Sequence, residues 1–263
     1  MDFNDQELTR RLAGRKIGGT VRFFPEVDST NDVAFRLAAK GAPEGVVVIA
    51  DAQRGGKGRL KRRWLSPPGC NLYTSVVLRP PLNAAAASQI TLVAGVALAE
   101  FLSQYCPGYV SLKWPNDVLI RGAKVSGILT EMKTAGRDVE FVIVGIGVNI
   151  NVAKDASAGA LTQAATSLRE ETGREISRLD FTAGMYEALE RLYGLFLREG
   201  FSPVRDLWLR YAAGLGKGVR VTFGSEVLEG EMAGLDGDGA LLVRDGKGSV
   251  TRVIAGDASL REG

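Results

Sequence analysis

Apolar positions along this chain follow two textures, and the change comes near residue 214. In the first, residues 21–25 and 45–50 are short apolar runs of strand type. Between them Val33, Ala34, Leu37 and Ala38 recur at the spacing of one helix face. Asp28, Ser29 and Thr30 offer N-cap chemistry ahead of that helix, and Gly41 ends it. Residues 72–78 predict another strand, and the Ala/Leu-rich stretch 84–105 a long amphipathic helix. The runs 110–114, 118–120, 126–133 and 139–150 follow so closely that they predict a mixed or largely antiparallel sheet, giving an α+β core. Helical periodicity returns at 181–198 and 203–211.

After Gly214-Leu215-Gly216 the pattern shortens to strands at 219–223, 227–234, 240–243 and 250–254. Gly224-Ser225, Asp236-Gly237-Asp238-Gly239 and Asp245-Gly246 divide them at hairpin spacing. A small C-terminal β-barrel of about fifty residues follows, too small to bury much core alone and so expected to dock on the main domain. The expected domains are 1–213 and 214–263.

Composition narrows the chemistry. The chain has 263 residues, 45% hydrophobic and 24% charged, which suits one large domain or a large and a small one. No uninterrupted apolar run spans a bilayer, and residues 1–20 are polar rather than signal-like, so a cytoplasmic protein without a membrane partner is expected. Cys70 and Cys106 lack metal-ligand spacing and predict neither a disulfide framework nor a zinc site. With no histidine in the sequence, Ser-His-Asp triads, His general bases and His-ligated metals are excluded. The net charge of +3 is too mild to demand nucleic acid as a partner.

The position of the positive charge says more. Residues 53–64, Gln-Arg-Gly-Gly-Lys-Gly-Arg-Leu-Lys-Arg-Arg-Trp, lie between two predicted strands and contain no acidic residue. Gly55, Gly56 and Gly58 let backbone approach a ligand, while the cations can neutralise phosphate or carboxylate. Such a segment is expected to be mobile and to order around an anion; a solvated basic hairpin or a non-specific nucleic-acid contact fits it as well. It lacks P-loop spacing.

Further along, Lys113-Trp114-Pro115-Asn116-Asp117 gathers a cation, an indole, an amide and a carboxylate at a strand end, where packing and a turn are the alternative reading. Lys124 stands just before an apolar strand, with Gly127 close behind, a placement that holds an ammonium beside a ligand. Gly145 and Gly147, with Asn149, sit in a buried-type strand where interior glycines often mark a ligand's close approach. Gly-x-Gly here fails as a dinucleotide fingerprint, since no third glycine and no helix follow.

Taken in order, these segments resemble the biotin–protein ligase family from about Val27 to the C-terminus. The resemblance rests on Ser29-Thr30-Asn31, the basic loop ending in Trp64, Ser66-Pro67 through Asn71-Leu72-Tyr73, Lys113 to Asp117, Lys124 with Gly127, and Gly145-x-Gly147-x-Asn149. It implies a seven-stranded mixed sheet with helices, similar to class II synthetase and lipoyl-ligase folds, followed by an SH3-like barrel. It further implies ATP-dependent activation of biotin to biotinyl-5′-AMP and transfer to a lysine of a biotin carboxyl carrier protein. The family loop usually reads Gly-Arg-Gly-Arg-x-Gly-Arg-x-Trp; here Lys57 replaces the first arginine and Lys61 the third glycine. Fewer than thirty residues precede the Ser29 motif, too few for the winged helix-turn-helix of members that also act as repressors, so a repressor role is not expected.

From the same resemblance, Ser29, Thr30, Asn31 and Gln53 hydrogen-bond the ureido ring of biotin, and Gly56, Gly58, Gly127 and Gly145 make room for it. Lys124 bridges the biotin carboxylate and the α-phosphate, with Arg59 and Arg62 on phosphates and Lys57 assisting. Trp64 covers the adenylate, Asn116, Asp117 and Asn149 serve the nucleotide, and Asp117 helps to deprotonate the incoming lysine. Mg2+ accompanies ATP on phosphate oxygens and water. A homodimer through the sheet is expected by analogy alone. The rival readings are a lipoate–protein ligase and, from another class, a nucleic-acid-binding protein.

Overall fold

The computed structural model describes residues 5–153, 165–223 and 226–260. In chain order the first part contains α1 (Asp5–Arg11), β1 (Thr20–Val27), α2 (Thr30–Ala39), β2 (Val46–Gln53) and β3 (Leu72–Leu78). Next come α3 (Ala84–Ala87), α4 (Ile90–Leu102), β4 (Val110–Lys113), β5 (Asp117–Ile120), β6 (Ala123–Ala135) and β7 (Asp138–Val148). Helices α5 (Leu168–Thr172), α6 (Arg178–Glu199) and α7 (Ser202–Tyr211) complete it. The seven strands form one sheet in the order β1-β2-β3-β7-β6-β5-β4, in which β1 and β2 run parallel and every other pair antiparallel.

Helices cover both faces. Leu72, Val76 and Leu78 of β3 join the main core with α4, α6 and α7, whereas Val77 turns to the opposite face and packs with Ala34 and Ala38 of α2. Alternation along a strand therefore sends Thr74 to Tyr186 of α6 and Ser75 to the start of α2. The functional cavity opens on the α2 side.

A second, five-stranded antiparallel sheet has the order β11-β10-β9-β8-β12, from β8 (Gly218–Phe223), β9 (Glu226–Leu235), β10 (Leu241–Arg244), β11 (Val250–Val253) and β12 (Asp257–Leu260). This SH3-like unit docks on the first sheet's end. The Trp114 indole N–H donates to the Gly239 carbonyl at 3.2 Å. Gly239 has φ +86, and a Cβ there would lie 2.6 Å from Leu92, so both the turn and the close approach exclude a side chain.

Most predicted strands stand within a residue or three of their expected ends, with four differences. The helix expected over 84–105 breaks into α3 and α4, where Ser88 Oγ donates to the Ala85 carbonyl at 2.6 Å in competition with the backbone. Ser29 occupies the N-cap of α2, yet its hydroxyl makes no capping bond. α1, α5 and β12 were not anticipated; each is short. The turn expected at Gly224-Ser225 lies outside the described residues. By length and mean hydropathy Ala84–Leu102 would pass as a membrane span, but Ser88, Gln89 and Glu100 interrupt it, and most of it is buried in the place of a core helix.

Candidate functional site

A cavity of about 360 Å³ lies between the start of α2, the ends of β2, β6 and β7, and the basic loop between β2 and β3. One end is a closed network of amides and hydroxyls. Thr30 donates its backbone N–H (2.9 Å) and hydroxyl (3.2 Å) to Gln53 Oε1. The Ser75 hydroxyl donates to Asn31 Oδ1 at 2.6 Å and lies 2.8 Å from Thr30 Oγ1. Asn31 Nδ2 donates to Glu131 at 2.7 Å and to the Leu129 carbonyl at 3.2 Å. Both Asn31 N–H groups are thus used, leaving an Oδ1 lone pair for a ligand, while Gln53 keeps one N–H. Ser29, Thr30 and Asn31 are nearly inaccessible, as buried polar groups are when hydrogen-bonded or awaiting a ligand.

Gly145 is essential to this wall, because a Cβ there would lie 2.0 Å from Asn31 Oδ1. Gly127 of β6 and Gly147 of β7 pair across the sheet, and the Trp64 indole lies over both. A Cβ on Gly147 would come within 2.5 Å of that ring, so the glycine pair forms the slot that admits it. The buried Trp64 Nε1 has no hydrogen-bond partner.

The other end is ionic. Lys124 Nζ lies 2.6 Å from Asp117 Oδ1 and 5.4 Å from the centre of the Trp64 ring, while Lys113 Nζ lies 3.5 Å from Asp117 Oδ2. Both oxygens of Asp117 thus face ammonium groups, an arrangement that aims Lys124. Asn116 Nδ2 donates to the Ile128 carbonyl at 2.9 Å, and Asn149 Nδ2 to that of Thr166 at 3.0 Å. Arg59 donates to the Gly256 carbonyl (3.0 Å) and to Asn116 Oδ1 (3.4 Å), and Arg62 pairs with Asp257 at 2.6 Å. Burial pushes the Arg59 pKa down from its usual value, against the opposing charges of Asp257 and Asp117. Lys57 pairs with Asp32 of α2.

The structure brings together on one cavity Ser29, Thr30, Asn31, Gln53, Lys57, Gly58, Arg59, Arg62, Trp64, Asn116, Asp117, Lys124, Gly127, Gly145 and Asn149. Gly56 stands apart, at the neck of the loop, lining a groove on the loop's other side. Residues to which the sequence reading assigns no role also contribute. Leu129 and Ile146 line the cavity, with Asp257 from the second sheet, and Ser75, Ser66 and Glu131 complete the polar network. Strand alternation could have found Ser75 and Leu129; no local signal marks Asp257.

Comparison with known proteins gives the following. Residues 23–149 match the Biotin/lipoate A/B protein ligase family, and residues 214–261 match the Biotin protein ligase C terminal domain. The chain is 40% identical over 222 residues to the biotin--[acetyl-CoA-carboxylase] ligase of Paracoccus denitrificans, covering 82% of this chain and 91% of that protein. It is 34% identical over 257 residues to the bifunctional ligase/repressor BirA of Bacillus spizizenii, covering 98% and 79% respectively. Among solved structures, the biotin protein ligase from Aquifex aeolicus in complex with biotin and ATP superposes with a TM-score of 0.77 at 30% identity, over 93% of this chain and 99% of that one.

Proposed function

The chain belongs to the biotin protein ligases of the biotin/lipoate A/B protein ligase family, and from that membership we propose how its site performs the reaction. The enzyme activates biotin with ATP to biotinyl-5′-AMP and transfers the biotinyl group to a lysine of a biotin carboxyl carrier protein. The observation that carries the assignment of roles is that one cavity joins a buried amide network at one end to Lys124 at the other. A cyclic urea offers two N–H donors and one carbonyl. Against these stand the free lone pair of Asn31 Oδ1, the Thr30 hydroxyl and the remaining N–H of Gln53. Lipoate has no such group, and its binding would leave these buried groups unpaired at a cost of about 1–3 kcal/mol each, which favours biotin.

The adenylation step sets a carboxylate against an α-phosphate. Lys124, aimed by Asp117, stands where an ammonium offsets that repulsion and the charge that grows on phosphorus. Arg59 and Arg62 meet the phosphates from the loop, with Lys57 assisting, and Trp64, Asn116 and Asn149 bound the nucleotide. Asp117 serves as the residue that positions Lys124 and, once the mixed anhydride exists, faces the acceptor amine. Among the described residues no group of three or more His, Cys, Asp or Glu could hold a metal, and Asp117 and Asp257 are the carboxylates on the cavity. That donor set fits magnesium carried by ATP's own phosphates and water, where it would spread the triphosphate charge.

The proposal takes 1–213 as the catalytic domain and 214–263 as the unit that latches the loop. It also includes a cytoplasmic setting, a homodimer through the sheet and no nucleic-acid partner, for which light scattering and DNA titration are the checks. The test of the whole is to incubate the purified protein with ATP, magnesium and labelled biotin, with and without a carrier domain. Biotinyl-AMP alone and transfer with the carrier are expected; labelling from lipoate instead of biotin would refute it.

A further inference from the structure

Ser66 follows the basic loop and has no place in the chemistry above, yet its hydroxyl joins the Gln53 amide at the ureido end to the Trp64 carbonyl of the loop. Ser66 Oγ accepts from Gln53 Nε2 at 3.0 Å and donates to the Trp64 carbonyl at 3.1 Å. Gln53 is held on its other side by Thr30, whose backbone N–H can only donate, so the orientation of the Gln53 amide is fixed and Nε2 must face Ser66. At the loop's neck, the Trp64 N–H donates to the Gly56 carbonyl at 2.9 Å. A Cβ on Gly56 would lie 2.4 Å from the Trp64 carbonyl oxygen, 2.8 Å from Ser66 Oγ and 3.1 Å from Gln53 Nε2. Gly56 is therefore the residue that lets these three groups meet. Beyond the neck, the Trp64 indole reaches the Gly127–Gly147 slot beside Lys124.

We infer that Ser66 is a positioning residue that couples occupancy of the ureido end to closure of the basic loop, and so makes biotin and nucleotide bind cooperatively. The inference rests on the reading of this cavity as the biotin and ATP site. A ligand that engages Thr30 and the free N–H of Gln53 restrains the Gln53 amide. Restraint passes through one hydroxyl to the Trp64 carbonyl, and with it the neck of the loop that carries Arg59 and Arg62. A serine hydroxyl suits the task because it has one proton to give and lone pairs to receive, so it serves both neighbours at once. Coupling of this kind is reciprocal: biotin tightens nucleotide binding by the factor by which nucleotide tightens biotin binding.

The test is calorimetry of the full chain with biotin, with and without a non-hydrolysable ATP analogue, on wild type, Ser66→Ala and Ser66→Thr. The ratio of the two biotin affinities gives the coupling factor. Ser66→Ala is expected to lower that factor about three- to tenfold, the range of one hydrogen bond, over and above any weakening of biotin binding alone. Ser66→Thr, which keeps the hydroxyl, restores the factor. A wild-type factor in Ser66→Ala, a folded Ser66→Thr that fails to restore it, or a loss confined to biotin alone overturns the inference. If wild type binds no biotin at all, the functional reading fails first and this inference with it.

Discussion

The two ends of the cavity are built in opposite ways. At the ureido end, the principal polar groups sit on helices or strands and are tied to one another across them. Asn31 is on α2, Ser75 on β3 and Glu131 on β6, within 2.7 Å of their partners. At the phosphate end, Arg59 and Arg62 ride on a glycine-rich loop and are steadied by groups of the second sheet, the Gly256 carbonyl and Asp257. The Arg62 side chain remains 68% exposed, so its ion pair is weak and a phosphate can replace it. A neutral, rigid urea calls for preorganised hydrogen bonds; a flexible polyanion calls for cations that arrive with it. Lys124 stands between the regimes, its charge placed by a strand and its ammonium aimed by Asp117.

The sharpest way to break this contrast is at that junction. Lys124→Ala removes the fixed cation shared by carboxylate and α-phosphate, and adenylate formation should fall about 10²- to 10³-fold, the usual effect of losing one preorganised donor. Single-turnover formation of biotinyl-AMP measures it, and a rate near wild type would remove Lys124 from the chemistry. Biotin affinity should change much less, because the ureido contacts lie at the opposite end.

Gly145→Ala attacks the rigid end. The new methyl group cannot share space with Asn31 Oδ1, 2.0 Å away, and displacing Asn31 breaks buried bonds to Ser75 and Glu131. At about 1–3 kcal/mol for a buried group left unpaired, biotin affinity should drop about tenfold to a hundredfold. A calorimetric Kd unchanged from wild type would show that the end is softer than its hydrogen bonding implies.

The rigid end is also the more legible from sequence. Ser29, Thr30, Asn31 and Gln53 fall in compact motifs at element ends, and the apolar runs of β2, β3 and β7 predict the strands beside them. Ser75 escaped notice because one hydroxyl in an apolar run reads as tolerated polarity until α2 is known to cover it. Asp257 escaped for a different reason. It pairs with Arg62 across nearly the whole chain, and its strand, Asp257–Leu260, opens with a charge where apolar alternation gives no cue. A long-range ionic partner leaves no local trace, whereas Lys113, Asp117 and Lys124, close together in the chain, do.

Arg59→Ala probes the loop end at its most buried cation. Burial works against the charge, yet the guanidinium reaches from the loop to the second sheet and to Asn116. Its loss should open the loop and speed escape of biotinyl-AMP about tenfold, in keeping with about 1.5 kcal/mol for a hydrogen bond to a charged group. Indiscriminate labelling of bystander lysines reports the escape. Release at the wild-type rate would mean that the loop does not act as a lid.

The smallest effect is expected at Lys61, where this chain departs from the family's glycine. Leu60 and Lys61 both adopt left-handed backbone, with φ of 55° and 60°. A side chain in that conformation costs about 1–2 kcal/mol, so Lys61→Gly should favour the closed loop. Glycine also gives the open loop more freedom to lose on closing, which offsets about 0.4–1 kcal/mol of the gain. The charge lost is a minor matter, since Lys61 is exposed and is not among the residues lining the main cavity. The difference leaves adenylate release slower by only about two- to fivefold, measurable as reduced bystander labelling at an unchanged rate of adenylate formation. Faster release instead would mean that the left-handed turn at 60–61 belongs to the open loop rather than the closed one, and the lid would then close by a different path from the one its backbone describes.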